Sequence, residues 1–261
     1  MFQKIKLKEN IKNVRMDVGT SVCAPNSALW LSKYNNLAVF SFEPNPFNAK
    51  CVREGTIEYG HEYKVIENTG QITYSSNDNI IGNVNDSNNY FKLYEIAIDN
   101  VDDYSTATFY CTSEINTGCS SLHKPIESQL GIPVKEEVTV NVAPLYKFFE
   151  NFDWNQIPYI DFIKTDTQSN DLKVIKSCKD YIKNVCFVQS EYYAHSAYEG
   201  EKSENECFSE FHSYMVYNGF KLYYKTGTDV FYVNENLIPY IIQNNIINDC
   251  LEFQNGCNYL F

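Results

Sequence analysis

The chain lacks the features that would place it in several large functional classes. No apolar run is long enough to cross a bilayer, so no membrane-spanning helix is expected. No basic run is present, and the net charge of -12 argues against a nucleic-acid partner, because phosphate binding draws on clustered Lys and Arg. The same charge would be repelled by an anionic membrane surface. These absences favour a soluble globular protein.

Paired cysteines and targeting signals are also missing. The nine cysteines are an odd number and form no Cys-x-x-Cys pair, which favours reduced, mostly buried thiols. Residues 1–8 are basic but lack the apolar core and small-residue cleavage site of a signal peptide. A cytoplasmic location is therefore expected. No tight cluster of His, Asp and Glu at ligand spacing is present, so no metal is predicted.

The composition that remains suits one α/β domain. The 261 residues are 44% hydrophobic and 21% charged, enough to bury a substantial core, and we expect a single domain over residues 1–261. Alternating strand and helix patterns predict a mostly parallel sheet covered by helices on both faces, with an antiparallel hairpin near the C-terminus. Predicted strands are 13–19, 38–43, 91–98, 105–112, 136–142, 159–166, 185–191, 219–225 and 229–234. Predicted helices are 25–34, 46–54, 144–150, 170–183, 204–218 and 236–247.

Three segments lie outside this core pattern. Residues 1–12 form an N-terminal lead-in, and residues 235–261 form a C-terminal helical tail. Residues 55–90 are rich in Asn, Ser, Gly and Asp and predict a loop-rich insertion around one helix or hairpin. Such an insertion serves either as a lid or as a plain surface excursion.

The first 45 residues have the pattern of a βαβ unit that binds an adenosine. An apolar strand leads to Gly19, a helical stretch follows, and a second apolar strand ends at Glu43. In such a unit the first turn receives the ligand, and the acid after the second strand hydrogen-bonds ribose hydroxyls. A dinucleotide would need a Gly-x-Gly-x-x-Gly turn, but Cys23 and Pro25 stand where that turn wants little bulk. S-adenosylmethionine has no phosphates and is favoured over NAD, and Asp17 would complement its sulfonium and ammonium.

Several segments in this order resemble the FkbM family of S-adenosylmethionine-dependent methyltransferases. The resemblance rests on Asp17-Val18-Gly19-Thr20-Ser21, Ala24-Pro25-Asn26-Ser27 with Trp30-Leu31, Phe42-Glu43-Pro44-Asn45-Pro46 with Asn48, Phe109-Tyr110, Gly118-Cys119-Ser120-Ser121-Leu122, residues 160–168, Glu191, Tyr214-Met215 and Asn218-Gly219-Phe220. It covers about residues 13–234 and implies a single Rossmann-like class I methyltransferase domain. Two departures are Cys23, where the family commonly has Gly, and Ser169-Asn170-Asp171, where it has Gly-Ala-Glu.

The resemblance and the βαβ pattern together predict the cofactor contacts. Gly19, Thr20 and Ser21 should offer backbone groups to the methionine carboxylate and amine. Glu43 should hold the ribose. The rest of the predicted set comprises Asp17, Asn26, Ser27, Pro44, Asn45, Ala97, Ile98 and Asp99, of which Ala97 and Ile98 would pack on adenine and Asp99 would reach its amino group. Ser27 as simple helix surface, and residues 97–98 as an ordinary core strand, are the alternatives.

Candidate catalytic residues follow two later strands. Methyl transfer needs an aligned acceptor and a group that removes its proton. Asp166, after an apolar strand, is the first candidate, with a helix N-cap as the alternative. Lys164 points to the same face of a regular strand and would bind the acceptor, steady Asp166 or form a structural ion pair. Glu191 ends the next strand and would be a base, an acceptor ligand, a metal-site carboxylate or a structural group.

Acceptor contacts are predicted from the resemblance and from two histidines. Ser120, Ser121 and His123 lie in a segment that the family places near the cofactor, and His195 lies in an aromatic loop where it would reach an acceptor or simply be exposed. The family typically methylates hydroxyls, which implies O-methylation of a sugar, glycan or small metabolite. An amine or protein acceptor, and a cofactor-binding module without catalysis, are the alternatives.

Overall fold

The computed structural model describes residues 2–22, 24–54, 88–112 and 117–246, and the backbone of four strands between residues 56 and 84. The strands are β1 Asn13–Val18, β2 Leu37–Phe42, β3 Thr56–Glu58, β4 His61–Ile66, β5 Gln71–Ser76, β6 Asn79–Val84, β7 Tyr90–Tyr94, β8 Ala97–Ile98, β9 Ser105–Thr112, β10 Val134–Ala143, β11 Ile160–Thr165, β12 Val185–Glu191, β13 Phe220–Thr226 and β14 Asp229–Asn234. The α-helices are α1 Pro25–Lys33, α2 Pro46–Glu54, α3 Glu127–Leu130, α4 Leu145–Phe149, α5 Asp171–Lys176, α6 Glu204–Tyr217 and α7 Ile238–Gln243.

Seven strands form the main sheet, in the order β13-β14-β12-β11-β1-β2-β7. The five strands β7, β2, β1, β11 and β12 run parallel, while β14 is antiparallel to both β12 and β13. All six residues of β2 and of β11 are buried. Burial on both faces explains why β2 is a nearly continuous apolar run, whereas β11 also buries Asp161, Lys164 and Thr165. The mostly parallel α/β architecture predicted from the sequence is confirmed.

Helices cover both faces of this sheet because successive strand residues point to opposite sides. On one face Met16 and Phe40 belong to a core that includes Phe148 of α4 and Met215 of α6. On the other face Val39 and Phe162 pack in a core with Trp30 and Leu31 of α1, Val52 of α2 and Ile241 of α7. Because both faces are covered, the loops open to a ligand are those at the carboxyl ends of the parallel strands.

Two smaller sheets are formed by strands that lie between β2 and β11 in the sequence. A three-stranded sheet has the order β8-β10-β9, so the single strand predicted over 91–98 is wrong: it breaks after Tyr94 into β7 of the main sheet and β8 of the small one. Strands β3 to β6 form a four-stranded antiparallel sheet where one helix or hairpin was expected. Its short apolar islands in polar sequence give a weak strand pattern. Residues 55, 59–60, 67–70, 77–78 and 85–87, and with them the question of a lid, lie outside the described residues.

The later helices are shorter than predicted. The helix expected over 170–183 is α5 followed by a 3₁₀ segment, Lys179–Asn184, because Lys179 has a left-handed φ of 51° that ends the regular spiral. The expected tail helix is a 3₁₀ turn, Glu235–Leu237, followed by α7, and residues 247–261 lie outside the described residues. None of the helices described is both long and apolar enough to cross a membrane.

Candidate active site

The turn after β1 is built on a glycine whose position leaves no room for a side chain. Gly19 has a φ of +81°, and its backbone N–H donates to the Phe42 carbonyl at 3.0 Å. A Cβ atom at this position would lie 1.9 Å from the backbone oxygen of Asp166, far inside van der Waals contact. The turn therefore fits between the ends of β2 and β11 because Gly19 has no side chain.

Glu43, directly after β2, is a buried carboxyl held by backbone groups. Its Oε2 accepts from the Ser21 N–H at 2.7 Å and its Oε1 from the Asn45 N–H at 2.9 Å. Burial raises the pKa of Glu43 to about 7. A carboxylate oxygen accepts more than one hydrogen bond, so both oxygens keep capacity for ligand hydroxyls.

A cavity of about 650 Å³, including its open mouth, joins these features and is called here the first cavity. Gly19, Ser21, Glu43 and Pro44 line it on the side of β1 and β2, and Asp166 lines it after β11. Its apolar wall consists of Phe42, Ile96, Ala97, Ile98, Phe109 and Leu122. The predicted residues Ala97 and Ile98 thus lie where a flat apolar base could pack.

Asp17, by contrast, does not reach the first cavity. Its side chain is fully buried, and Oδ2 accepts from Ser27 Oγ at 2.6 Å. Ser27 Oγ also lies 2.7 Å from Ser41 Oγ, and the Thr20 hydroxyl donates to the Asp17 carbonyl. The side chains of Asp17, Thr20 and Ser27 are thus bonded beneath the turn and do not line the first cavity, whereas the backbone contact predicted for Thr20 stays a prediction.

Three more predicted cofactor residues are absent from the lining of the first cavity. Asn26 lies half-buried on α1. Asn45 accepts the Phe47 N–H at the start of α2 and donates to Ser120 Oγ at 3.2 Å. Asp99 accepts from the Asn100 N–H and lines a different cavity. The structure gives Asn45 a helix-capping role in place of a direct contact.

The ends of β11 and β12 bring the two predicted catalytic carboxyls together through one amide. Gln168 Nε2 donates to Asp166 Oδ1 at 2.7 Å and to Glu191 Oε2 at 3.0 Å. Lys164 Nζ lies 3.3 Å from Asp166 Oδ2 and 3.9 Å from Asp17 Oδ1. Asn170, and not Asp166, precedes α5, so the N-cap alternative for Asp166 is not what the structure shows.

Burial and neighbouring charges change the pKa values of Glu191, Asp171 and Lys164 at this edge of the sheet. Burial, reinforced by the neighbouring charges of Asp171 and Asp166, raises the pKa of Glu191 to about 9. Burial beside Asp166 likewise raises the pKa of Asp171 to about 7. Burial works against the charge of Lys164, but the neighbouring carboxylates of Asp166 and Asp17 outweigh it and raise its pKa. Glu191 is therefore neutral at pH 7, next to an ion pair.

A second cavity, of about 1160 Å³ with its mouth, lies against the first. The segment 166–171 is the shared wall: Asp166, Gln168 and Asn170 line the first cavity, whereas Ser169 and Asp171 line the second. Glu191 also lines the second cavity. Asp166 and Glu191, which are joined through Gln168, thus each line a different one of the two cavities.

The predicted acceptor residues are divided among different places. Ser120 lines the first cavity, and buried Ser121 donates to the Gln168 carbonyl at 2.6 Å. His123 lines the second cavity with Nε2 3.2 Å from Asn170 Oδ1, and burial lowers its pKa. His195 is exposed, lies against the Tyr193 ring and lines neither cavity, which favours the alternative that it is simply a surface histidine.

Sequence reasoning missed Gln168, Asp171 and Tyr198 as members of this site. Tyr198 is 1% exposed, and its hydroxyl lies 2.8 Å from the Cys119 carbonyl and 3.0 Å from Gln168 Oε1. The one available signal was the polar run that follows Asp166 at the end of an apolar strand, since such strand ends meet ligands. Nothing in the sequence marked Tyr198 among its many tyrosines.

The described residues contain no group of three or more His, Cys, Asp or Glu side chains placed to hold a metal ion. They do fit an adenosine-containing cofactor. The first cavity offers Glu43, a buried carboxyl that can still accept hydrogen bonds, and an apolar wall that includes Ile98 and Phe109. The residues that line this cavity include no Lys, Arg or His, so no side-chain cation competes with a ligand for Glu43.

Comparison with known proteins agrees with this geometry. The profile of the methyltransferase FkbM domain matches residues 17–222, which spans the Gly19 turn, Glu43, Asp166 and Glu191. Neither the curated proteins nor the solved structures gave a significant match. The matched region contains both cavities and most of the main sheet, and the chain belongs to the FkbM methyltransferase family.

Proposed function

We propose that this chain is an O-methyltransferase that uses S-adenosylmethionine to methylate a hydroxyl of a sugar, glycan or small metabolite, with Asp166 as the proton acceptor. Membership of the family implies a methyl donor of the S-adenosylmethionine type. The observation that carries the rest is that a single cavity is lined by the Gly19 turn, by Glu43 after β2 and by Asp166 after β11.

Each part of the first cavity suits one part of the cofactor. Glu43 would accept hydrogen bonds from the ribose hydroxyls, and the wall containing Ile98 and Phe109 would pack on adenine. Backbone groups of Gly19 and Ser21 would hold the methionine end. When bound, the cofactor supplies a methyl group whose bond to sulfur breaks, leaving its electron pair on sulfur, as the bond to the acceptor oxygen forms.

Asp166 is suited to take the hydroxyl proton. Its side chain is 44% exposed and lines the first cavity, and Lys164 Nζ lies 3.3 Å from its Oδ2. General-base assistance of this kind contributes about 10²–10⁴-fold in rate. The acceptor would occupy the second cavity, where Glu191, neutral at pH 7 because burial raises its pKa to about 9, can donate a hydrogen bond to a sugar oxygen.

An amine acceptor is the second candidate. Besides the neutral Glu191, the second cavity carries four carboxyl groups that would attract a cationic ligand, namely Asp99, Asp171, Glu201 and Glu210. Two of its lysines, Lys176 and Lys202, are already paired with Glu210, at 2.9 and 2.6 Å. The identity of the methylated atom separates an amine from a hydroxyl.

Calorimetric titration with S-adenosylmethionine, S-adenosylhomocysteine and NAD at matched concentrations tests the cofactor. Binding of the first two without NAD supports the proposal, and binding of NAD alone or of none contradicts it. With a donor carrying a ¹³C-labelled methyl group, mass spectrometry of mixed sugars and amines then identifies the acceptor. Label on oxygen supports the proposal, label on nitrogen supports the second candidate, and no transfer to any acceptor supports a binding module.

A further inference from the structure

Asn48 is a buried polar residue that the proposed function does not use. It lies on α2, is 2% exposed and lines the first cavity. Ala49 and Val52 are the other buried residues of this helix, so Asn48 stands on a face of α2 that is otherwise apolar. A polar side chain at such a position needs hydrogen-bond partners, because burial removes it from water.

One end of the Asn48 amide is bonded and the other is not. The side chain hydrogen-bonds the Glu43 carboxyl, and the end of an amide that donates to a carboxyl is its nitrogen, here Nδ2. Among the residues that the structure describes, none bonds Asn48 Oδ1, which is buried. Turning the amide over would place Oδ1 against the carboxyl oxygens and exchange a donated bond for repulsion. The unpartnered atom is therefore a carbonyl oxygen next to Glu43.

Glu43 by itself has little capacity for a ligand with several donors. Its two oxygens accept from the Ser21 and Asn45 N–H groups at 2.7 and 2.9 Å, and Asn48 donates a third bond. A carboxylate has about four lone-pair positions, so with the third bond counted about one stays open. A ribose presents two neighbouring hydroxyl donors. Glu43 can accept from one of them, and the second needs another acceptor.

Asn48 Oδ1 meets this need by its position and by its unused lone pairs. The amide that donates to Glu43 also carries Oδ1, so the two acceptors are adjacent, as the two hydroxyls of a ribose are. Asp166, the other carboxyl of the lining, follows β11 and is bonded to Gln168 and Lys164. A hydroxyl of the ligand would also complete the hydrogen bonding of the buried oxygen, which otherwise costs free energy.

We propose that Asn48 accepts a hydrogen bond from one ribose hydroxyl through Oδ1 while Glu43 accepts from the other, so that the two residues together select a ribose with both hydroxyls. The inference rests on the proposed function, since it takes the occupant of the first cavity to be S-adenosylmethionine. Asn48 is then a specificity-determining residue, because a nucleoside that lacks either hydroxyl leaves one buried acceptor without a donor.

Calorimetric titration with S-adenosylhomocysteine and with its 2′-deoxy and 3′-deoxy analogues tests the pair. In the wild-type protein each analogue should bind about tenfold more weakly than the parent ligand, because each leaves one acceptor unpaired. In Asn48→Ala, S-adenosylhomocysteine should itself bind about tenfold more weakly, and one of the two analogues should then match it. The penalty for the other analogue should remain, since Glu43 still accepts that hydroxyl. A purely structural role of Asn48 would weaken all three ligands equally.

Asn151→Ala is the matched control, because the Asn151 amide donates to the Lys147 carbonyl at 2.8 Å and Asn151 lines neither cavity. It should leave all three affinities unchanged. Should Asn48→Ala not fold, Asn48→Leu gives the same comparison, since Leu has nearly the shape of Asn and suits the apolar face of α2.

Two results would overturn the inference. One is a deoxy analogue that binds the wild-type protein as tightly as S-adenosylhomocysteine does. The other is a folded Asn48 variant in which the three affinities keep their wild-type ratios.

Failure of the inference and failure of the proposed function give different results. A wild-type chain that binds no S-adenosylhomocysteine loses the proposed function, and the role of Asn48 with it. A chain that binds S-adenosylhomocysteine with ratios independent of Asn48 loses only the inference. The titrations use neither a transferable methyl group nor an acceptor, so the identity of the methylated atom does not enter.

Discussion

The two carboxyl groups that line the first cavity are held in different ways. Glu43 is held by backbone N–H groups of Ser21 and Asn45, whose positions follow from the turn after β1 and the turn after β2. Asp166 is held by side chains, Lys164 and Gln168. Backbone donors are set once the sheet forms, whereas side-chain donors depend on rotamers and on further partners.

This difference separates cofactor binding from catalysis in the response to mutation. The Glu43 side is governed by main-chain geometry, so few substitutions besides Glu43 itself and Gly19 can alter it. The Asp166 side is a network in which Asp166 pairs with Lys164 and is joined to Glu191 through the Gln168 amide. We expect substitutions near Glu43 to change affinity, and substitutions near Asp166 to change rate and pH dependence.

The largest effect should come from Asp166→Asn. Loss of the proton acceptor should lower kcat about 10²–10⁴-fold, while the affinity for S-adenosylmethionine changes little because Glu43 and the apolar wall remain. Steady-state kinetics and calorimetry on the same preparation test this. Asp180→Asn, at an exposed ion pair with Lys183, is the control. A large loss of S-adenosylmethionine affinity with normal kcat in Asp166→Asn would contradict the distinction between Glu43, expected to govern affinity, and Asp166, expected to govern rate.

Gly19→Ala should affect both sides. The new methyl group would overlap the Asp166 carbonyl at a left-handed φ, and we expect a loss of about 3 kcal/mol in unfolding free energy, together with loss of cofactor binding. Gly131→Ala is the control that carries backbone strain without a clash. Gly131 has a φ of +70°, but a Cβ atom there would have no other atom within 4 Å. It should cost about 1 kcal/mol in urea unfolding. Equal losses would show that the contact with Asp166 is unimportant.

Glu43→Ala should weaken S-adenosylhomocysteine binding by about 1.5–3 kcal/mol, because charge-assisted hydrogen bonds are lost. Because burial raises the pKa of Glu43 to about 7, and ribose hydroxyls donate to the ionised form, wild-type affinity should increase between about pH 6 and about pH 8. Glu43→Gln should remove that increase in calorimetric titrations. A pH-independent affinity in the wild-type protein would contradict the ribose assignment.

The smallest effect concerns stability and pH. Glu191 binds its proton more tightly in the folded chain, because its pKa is raised to about 9 from an ordinary value of 4.5. Its contribution to stability is present below that ordinary value and is lost as pH rises toward about 9. Glu191→Gln should flatten this decline by on the order of 1 kcal/mol per pH unit in urea unfolding between about pH 5 and about pH 9. Exposed Glu199→Gln is the control, and an unchanged slope in Glu191→Gln would contradict the burial argument.

The sequence predicted the elements that have strong local patterns. The apolar strands β1, β2, β11 and β12 each lead to a polar strand end, which is enough to place Gly19, Glu43 and Asp166 at one edge of a parallel sheet. Ribose binding by Glu43 and proton transfer by Asp166 stay predictions. The strands β3 to β6 were missed because polar antiparallel strands carry little apolar periodicity.

The side-chain network could not be predicted in the same way. Gln168 meets Glu191 across 23 residues and Tyr198 across 30, through rotamers that no local pattern encodes. Asp17 shows the opposite error. An acidic residue beside a ligand-binding turn favoured a cofactor contact, but the Asp17 side chain lies under the turn and bonds to Ser27 of α1. That contact depends on how α1 packs on the sheet, which the local sequence does not show.

The contact beneath Gly19 also has a consequence for the order in which the chain folds. The amide of Val14 donates to Asp161 Oδ2 across 147 residues, and the Asp166 N–H donates to the Val18 carbonyl at 2.9 Å. Closing so long a loop is entropically costly and slows folding. During synthesis, β1 and β2 leave the ribosome long before the strand that completes their turn. The first cavity can therefore form only after translation has passed Asp166, however early its first residues are made.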